Sequence, residues 1–205
     1  MSGKAILDAG SATTAIALNN VMFCLLRNPS CPARLRKEVD DALDFENVIA
    51  PCNKVRHLPY LKSCLDESLR ITPPFSYNLP RETPPEGAVI LGKFIPGQTS
   101  ASMSSYVAHR DEQIFPEAED FIPERWLGEM GQALQPYFVP FSAGNRGCIG
   151  RNVSYMERNV LISSVTHRYE FALPHPEWNQ ERVEVANLLP GPLPLKVRRR
   201  SFVDS

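Results

Sequence analysis

The segment AILDAGSATTAIALNNVMFCLL, residues 5–26, is apolar on almost every side when wound as a helix. Such a helix has no face suited to water and must be enclosed by other elements. It predicts a central, buried helix that stops at Arg27-Asn28-Pro29, where proline ends the hydrogen-bond ladder. The rest of the chain has to supply its neighbours. Pro32 can open a second helix from its first turn, with Leu35, Val39, Ala42 and Leu43 on one stripe and charges opposite. After Pro59 a third helix places Leu61, Leu65 and Leu69 on one stripe and ends at Pro73-Pro74. Arg151–Tyr169 reads as a further amphipathic helix with Val153, Met156, Val160 and Val165 inward. Between these, AVIL (88–91), KFI (93–95), a Pro96-Gly97 turn and TSASMSSYV (99–107) read as short strands, and proline-broken coil follows to Pro140. The expected class is mainly α with small β-sheets (α+β), with no domain boundary visible.

Composition removes several function classes. With 205 residues, 43% of them hydrophobic, the chain can bury a real core. A net charge of −1 gives no electrostatic case for nucleic acid, and the basic run Lys196–Arg200 reads as a solvated tail. Five cysteines without a C-x-x-C pair fit neither a disulfide framework nor a zinc knuckle, and suggest a reducing compartment. The longest unbroken apolar run, Val21–Leu26, is too short to cross a bilayer. The core helix opens after a three-residue leader, Met1-Ser2-Gly3, and few long helices follow it. The expectation is that further neighbours of this helix lie upstream.

The loop FSAGNRGCIG, residues 141–150, sets one cysteine among three glycines. Three readings compete. Gly144, Gly147 and Gly150, with Glu170 about twenty residues on, could form a dinucleotide-binding turn, but Pro140 interrupts the strand that this motif needs. The loop could present Cys148 as a metal-bound thiolate: glycines let the backbone approach a flat ligand, and a helix opening near Arg151 would turn its positive end to the sulfur. Phe141 could then shield the sulfur, and Arg146 could pair with a carboxylate on the ligand. The third reading is a tight turn with an incidental cysteine. Elsewhere, ESLR places Glu67 and Arg70 on one helix face. FIPERW (121–126) adds Arg125 in a proline-set segment, and DAGSATT (8–14) puts threonines in the apolar helix, where their hydroxyls commonly bond back to the helix backbone.

Taken together, these segments resemble the cytochrome P450 family of haem-thiolate monooxygenases. The loop matches the family pattern F-x-x-G-x-R-x-C-x-G through Phe141, Gly144, Arg146, Cys148 and Gly150. The E-x-x-R pair, the P-E-R segment and the A-G-x-x-T-T helix follow in their expected places. The resemblance covers residues 1–205 as a partial domain, the C-terminal portion of the family fold from its long central helix onward. The N-terminal anchor and early helices are not matched. The wording AHRDEQIFPEAEDFIPERW looks most like fungal, microsomal-type members.

The resemblance implies haem b with Cys148 as the axial ligand of its iron. It implies Arg146 and Arg81 (in LPRETP) as partners of the haem propionates. Phe141 and Gly150 would shape the cofactor-binding loop, and Glu67, Arg70 and Arg125 would form a buried structural cluster. It implies Thr13 as the catalytic threonine of proton delivery. The preceding residue is Ala12 where the family usually carries an acid, so Asp8, Ser11 or water would have to substitute. Ala9, Phe75-Ser76-Tyr77 and Asn187-Leu188 would face substrate. The implied partners are O2, a small apolar organic substrate and an NADPH-dependent flavoprotein reductase, at the cytosolic face of the endoplasmic reticulum membrane. The alternative is a truncated, non-catalytic remnant of such an enzyme. Outside the motifs, Cys24 and Cys64 read as core and Cys31 and Cys52 as incidental. His109 reads as fixing a turn, and His57, His167 and His175 as surface residues.

Overall fold

In the computed structural model, which describes residues 3–185 and 187–201 with side chains from Leu7 onward, the apolar segment forms α1 (Gly3–Arg27). Of the leader, Met1 and Ser2 lie outside the described residues. Burial is uneven: Asp8–Ala12 are exposed, while Ile16, Ala17, Asn20, Val21 and Phe23–Leu25 are buried. The enclosing elements cover the C-terminal half of α1 and leave its first turns open. By length and composition, Leu7–Arg27 is apolar enough to cross a membrane, which the short unbroken run did not suggest. Its buried half is nonetheless built for a protein core. Asn20, fully buried, donates through Nδ2 to the Thr72 carbonyl at 3.0 Å, a tertiary contact that lipid could not supply.

The helix α2 (Ser30–Ala42) starts two residues before Pro32 and buries Leu35, Val39 and also Cys31, which is core rather than incidental. A one-turn helix α3 (Cys52–Val55) was not expected. The helix α4 (Pro59–Ile71) carries proline in its first turn, where the missing N–H is no loss. Leu61, Leu65 and Leu69 are buried as expected, but so is every residue from Ser63 to Arg70. The single apolar stripe understated this helix because the polar side chains on its other faces find buried partners.

Four two-stranded antiparallel sheets flank the helices: β1 (Arg81–Glu82) with β4 (Ser100–Ala101), β2 (Ala88–Ile90) with β3 (Lys93–Ile95), β5 (Tyr169–Ala172) with β8 (Lys196–Arg199), and β6 (Arg182–Glu184) with β7 (Leu188–Pro190). The expected strand 99–107 shrinks to β4 because Ser104 caps a helical turn, α5 (Ser105–Ala108), its Oγ accepting the Val107 N–H. The expected coil before Pro140 holds a 3-10 turn at Pro123–Trp126, α6 (Gly128–Leu134) and a second 3-10 turn at Gln135–Tyr137. Gly131 permits this packing, since a Cβ there would stand 2.1 Å from the Trp126 carbonyl oxygen. The basic run is strand β8 and its continuation rather than a tail; Arg200 holds both oxygens of Asp40 at 3.0 and 2.7 Å.

The last helix, α7 (Arg151–Arg168), turns a different face inward from the one expected. Val153 and Met156 are about half exposed, and the buried stripe is Arg158, Asn159, Ile162, Ser163, Thr166 and His167. Partners decide this orientation. His167, read as a surface residue, is buried with Nδ1 2.7 Å from Asp40 Oδ1 on α2. Val21, Leu35, Val39, Leu61, Leu65 and Ile162 join α1, α2, α4 and α7 in one core, and Leu69, Phe115, Trp126, Leu134 and Phe138 form a second. Each fully buried Leu or Ile contributes roughly 1.5–3 kcal/mol by leaving water. Together the cores fix α4 and the start of α7, which carry the candidate site.

Candidate functional site

The glycine loop is built by its own backbone. Ser142 and Gly144 take left-handed conformations (φ 60° and 63°), so the chain reverses sharply after Phe141. The Gly147 N–H donates to the Gly144 carbonyl (3.0 Å), and the Cys148 N–H donates to the Phe141 carbonyl (2.8 Å), closing the loop. Helix α7 begins three residues later, with Gly150 as its N-cap, so Cys148 lies at the partly positive end of an 18-residue helix. Residues 143–149 are all exposed. An added Cβ at Gly144 would meet nothing within 4 Å, and one at Gly150 would lie 3.8 Å from Cys148 Sγ, so the loop offers a bare face around the sulfur.

Of the five cysteines, Cys148 is the exposed one. Burial pushes the Cys24 thiol up to about 11 and Cys64 well above its ordinary value, which leaves both inert as ligands at neutral pH. Phe141 lies half-buried behind the loop, its ring 5.4 Å from that of Tyr155. Arg81 is aimed at the same loop: Nη1 donates to the carbonyls of Leu79 (3.2 Å) and Pro80 (3.0 Å), and Nη2 lies 3.5 Å from Ser142 Oγ. Arg146 is exposed with no hydrogen bond to a described residue. Beside the loop opens a cleft of about 400 Å³, lined by Phe75, Tyr77, Leu79, Arg81, Val139 and Ala143 among others. A soft sulfur donor on a bare glycine face, with the Arg81 guanidinium lining the apolar cleft beside it, fits a large, flat, apolar ligand that carries an anionic group and a thiophilic metal, while Arg146 is on the loop but does not line that cleft.

Glu67, Arg70 and Arg125 come together behind this face. Glu67 is fully buried and accepts five hydrogen bonds: Arg70 Nε and Nη2 at 2.9 Å, Arg125 Nε at 2.9 Å, Trp126 Nε1 at 2.8 Å and the Ile122 N–H at 3.0 Å. Arg70 also donates to the carbonyls of His109, Ala118 and Asp120. Arg125 donates to those of Pro116 and Glu117. The network pins the 109–126 segment to α4. His109 fixes it further, its Nε2 accepting the Val139 N–H at 3.0 Å. Burial, with help from the Arg70 cation, lowers His109 to about 4, so it stays neutral and able to accept.

The remaining expected residues are more scattered. Thr13 Oγ1 donates to the Ala9 carbonyl at 2.7 Å, and Asp8, Ala9, Ser11 and Ala12 are exposed along the open turns of α1. Phe75 and Tyr77 line the cleft, but Ser76 is buried with its hydroxyl on Glu184 (2.8 Å) and turns away from it. The Leu188 N–H donates to the Pro74 carbonyl (3.0 Å), which sets the Asn187-Leu188 turn against the start of that segment. The dinucleotide reading fails: the described sheets are all antiparallel, and Glu170 pairs with Arg198. Three residues that sequence reasoning passed over are part of the arrangement. Trp126 completes the Glu67 cluster, and its position directly after Arg125 was the available signal. Asp66, fully buried, and half-buried Tyr155 form a second link, with Tyr155 Oη donating to Asp66 Oδ1 at 2.6 Å, and no local motif marks it.

Comparison with known proteins agrees with this geometry. Residues 4–198 match the family model for cytochrome P450. The chain is 40% identical over 182 residues to the cytochrome P450 monooxygenase cicH of Emericella nidulans, covering 85% of this chain and 37% of that protein. It is 39% identical over 166 residues to nodW of Hypoxylon pulicicidum, covering 80% and 31% respectively. A solved structure, the haem domain of a cytochrome P450DA mutant, superposes with a TM-score of 0.88 at 25% identity over 97% of this chain and 44% of that one. The chain thus spans about a third of the length of the curated relatives it matches. The fold, the glycine loop and the match over nearly the whole chain lead to one conclusion: the chain belongs to the cytochrome P450 family.

Proposed function

We propose that the protein acts as a haem-thiolate monooxygenase that inserts one oxygen atom from O2 into a small apolar organic substrate. The observation that carries this reading is Cys148, the exposed cysteine, held by its N–H on the Phe141 carbonyl at the head of α7 with Arg81 aimed at the same loop. Haem b, when bound, supplies the activation of dioxygen, and a thiolate ligand favours cleavage of the O–O bond. Each residue of this chain then has a defined task. Cys148 ligates the iron, Arg81 and Arg146 hold the propionates, and Phe141 keeps water from the back of the sulfur. Phe75 and Tyr77 offer the substrate an apolar wall.

Thr13 is the residue proposed for proton delivery. Its own hydrogen is engaged by the Ala9 carbonyl, so in this rotamer the hydroxyl accepts a proton donor's bond and can orient water; passing a proton on requires it to leave Ala9. Ala12 cannot assist, and exposed Asp8 or Ser11 with water are the candidates to relay the proton. Electrons come in this proposal from an NADPH-dependent flavoprotein reductase, with the whole protein at the endoplasmic reticulum membrane. The test is the reduced carbon-monoxide difference spectrum of haem-loaded protein. The long-wavelength band for which the family is named is expected, and Cys148→Ala is expected to abolish it. A band that survives the substitution refutes the ligand assignment. Reductase and NADPH added to the same preparation should yield hydroxylated product; NADPH consumption that yields peroxide alone would favour the non-catalytic alternative.

A further inference from the structure

The basic run Lys196–Arg200 stands out in the sequence, and the haem site makes no use of it. Three consecutive arginines, Arg198, Arg199 and Arg200, lead into Ser201, and Phe202 follows in the sequence. Every residue of β8 is exposed, and so is Ser201. The strand pairs with β5 on one side, and among the described residues no strand lies along its other edge. The Arg200 N–H donates to the Arg168 carbonyl at 3.0 Å, which continues the extended backbone to the residue before the serine.

The three arginines are not equally committed. Arg200 is held by both oxygens of Asp40 and donates to the His167 carbonyl at 2.7 Å. Arg198 pairs with Glu170 (Nε at 3.0 Å), but its side chain is 79% exposed, and a pair so open to water adds little and opens readily. Arg199 is exposed and makes no side-chain hydrogen bond to a described residue. Side chains alternate along an extended chain, so Arg199 points away from the side that carries Arg198 and Arg200. The guanidinium groups two and three residues before Ser201 can therefore be given to a partner, whereas the one directly before it is anchored.

Planar guanidinium forks at fixed spacing are recognised by carboxylates, two bonds to each. Protein kinases use such charge patterns to select substrates. Two other serines have an arginine three residues before them, Ser30 after Arg27 and Ser154 after Arg151. Neither has a second arginine beside it, and both lie in helices, α2 and α7. Only Ser201 combines the arginine pair with extended, exposed backbone among the described residues.

We propose that Ser201 is a phosphorylation site for a basophilic protein kinase, whose acidic substrate groove takes Arg198 and Arg199. In the transfer, Ser201 Oγ attacks the γ-phosphorus of Mg-ATP and a new O–P bond forms. The bond from that phosphorus to the bridging oxygen breaks, ADP leaves, and the hydroxyl proton passes to the aspartate of the kinase catalytic loop. The product adds close to two negative charges at the end of a cationic strand. This proposal is independent of the haem reading.

The test incubates the folded, full-length chain with Mg-ATP and the catalytic subunit of cyclic-AMP-dependent protein kinase, and locates phosphate by peptide mass spectrometry. Stoichiometric phosphate on Ser201, and none on Ser30 or Ser154, is the expected result. Arg198→Gln and Arg199→Gln should each slow the reaction about tenfold, the size of one lost charge-assisted contact. Both side chains are exposed, so these variants should keep the circular dichroism of the unaltered protein. An acidophilic kinase such as casein kinase 2 should leave Ser201 unmodified. No phosphate on Ser201 overturns the proposal, whether or not a free peptide of residues 196–205 is modified. Equal rates in the two arginine variants and the unaltered chain overturn the charge reading. Labelling that appears only after heat denaturation shows that the folded strand does not present the serine, and refutes it as well.

Discussion

Replacing Glu67 by alanine strands two guanidinium groups at once. Arg70 loses both bonds of its side-on fork and Arg125 loses its Nε bond, with both residues buried. Their remaining partners are carbonyl oxygens, which satisfy hydrogens but do not neutralise charge. The Trp126 indole and the Ile122 N–H lose their acceptor as well. Removing one member of a buried ion cluster costs about 3–5 kcal/mol, against less than about 1 kcal/mol for an exposed pair. Typical domains are stable by only about 5–15 kcal/mol, so Glu67→Ala is expected to leave little folded protein. Glu67→Gln retains one acceptor oxygen and should fall between. The assay is urea denaturation followed by far-ultraviolet circular dichroism, with haem loading as a second readout. A Glu67→Ala midpoint corresponding to a loss below about 1 kcal/mol would refute the reasoning, because it would mean that the cluster is not electrostatically closed.

Three further outcomes are expected. His109 falls from 6.5 unfolded to about 4 folded, so the unfolded state binds more protons between those values, and stability drops as pH falls through that window. The loss from this residue is about 3 kcal/mol. His109→Gln, which keeps an acceptor for Val139, should flatten that part of the stability–pH curve, and an unchanged slope would count against the buried neutral imidazole. Gly131→Ala drives a Cβ into the Trp126 carbonyl and should cost roughly 1–3 kcal/mol while altering Trp126 fluorescence; wild-type stability would show that α6 packs more loosely. Arg81→Leu should weaken haem retention roughly fivefold, read as transfer to apomyoglobin, since an exposed cation contributes a modest charge-assisted bond.

Sequence patterns located what depends on local spacing. Glu67 and Arg70 share a helix face at i, i+3 by geometry alone, and the glycines around Cys148 predicted a loop that hides nothing. Patterns failed where burial is decided by partners far along the chain. The α7 stripe was set by apolar residues, yet Val153 and Met156 stay half exposed while Arg158 and His167 are enclosed. Asp40 holds His167 from 127 positions away, a pairing that no window of sequence contains. Burial raises the Asp40 carboxyl, and the bonds from Arg200 and His167 more than offset it, which is why the basic run ends pinned rather than solvated. The proline-rich segment hid α6 and two 3-10 turns for a related reason. Proline sets local φ, but the carbonyls of residues 116–120 are drawn into place by the buried arginines.

The most direct measurement is X-ray absorption at the iron edge of haem-loaded protein, which counts sulfur atoms bound to iron. One sulfur scatterer in the unaltered protein and none in Cys148→Ala is the predicted result. An iron ligated only by nitrogen and oxygen, or a sulfur shell that persists without Cys148, would contradict it.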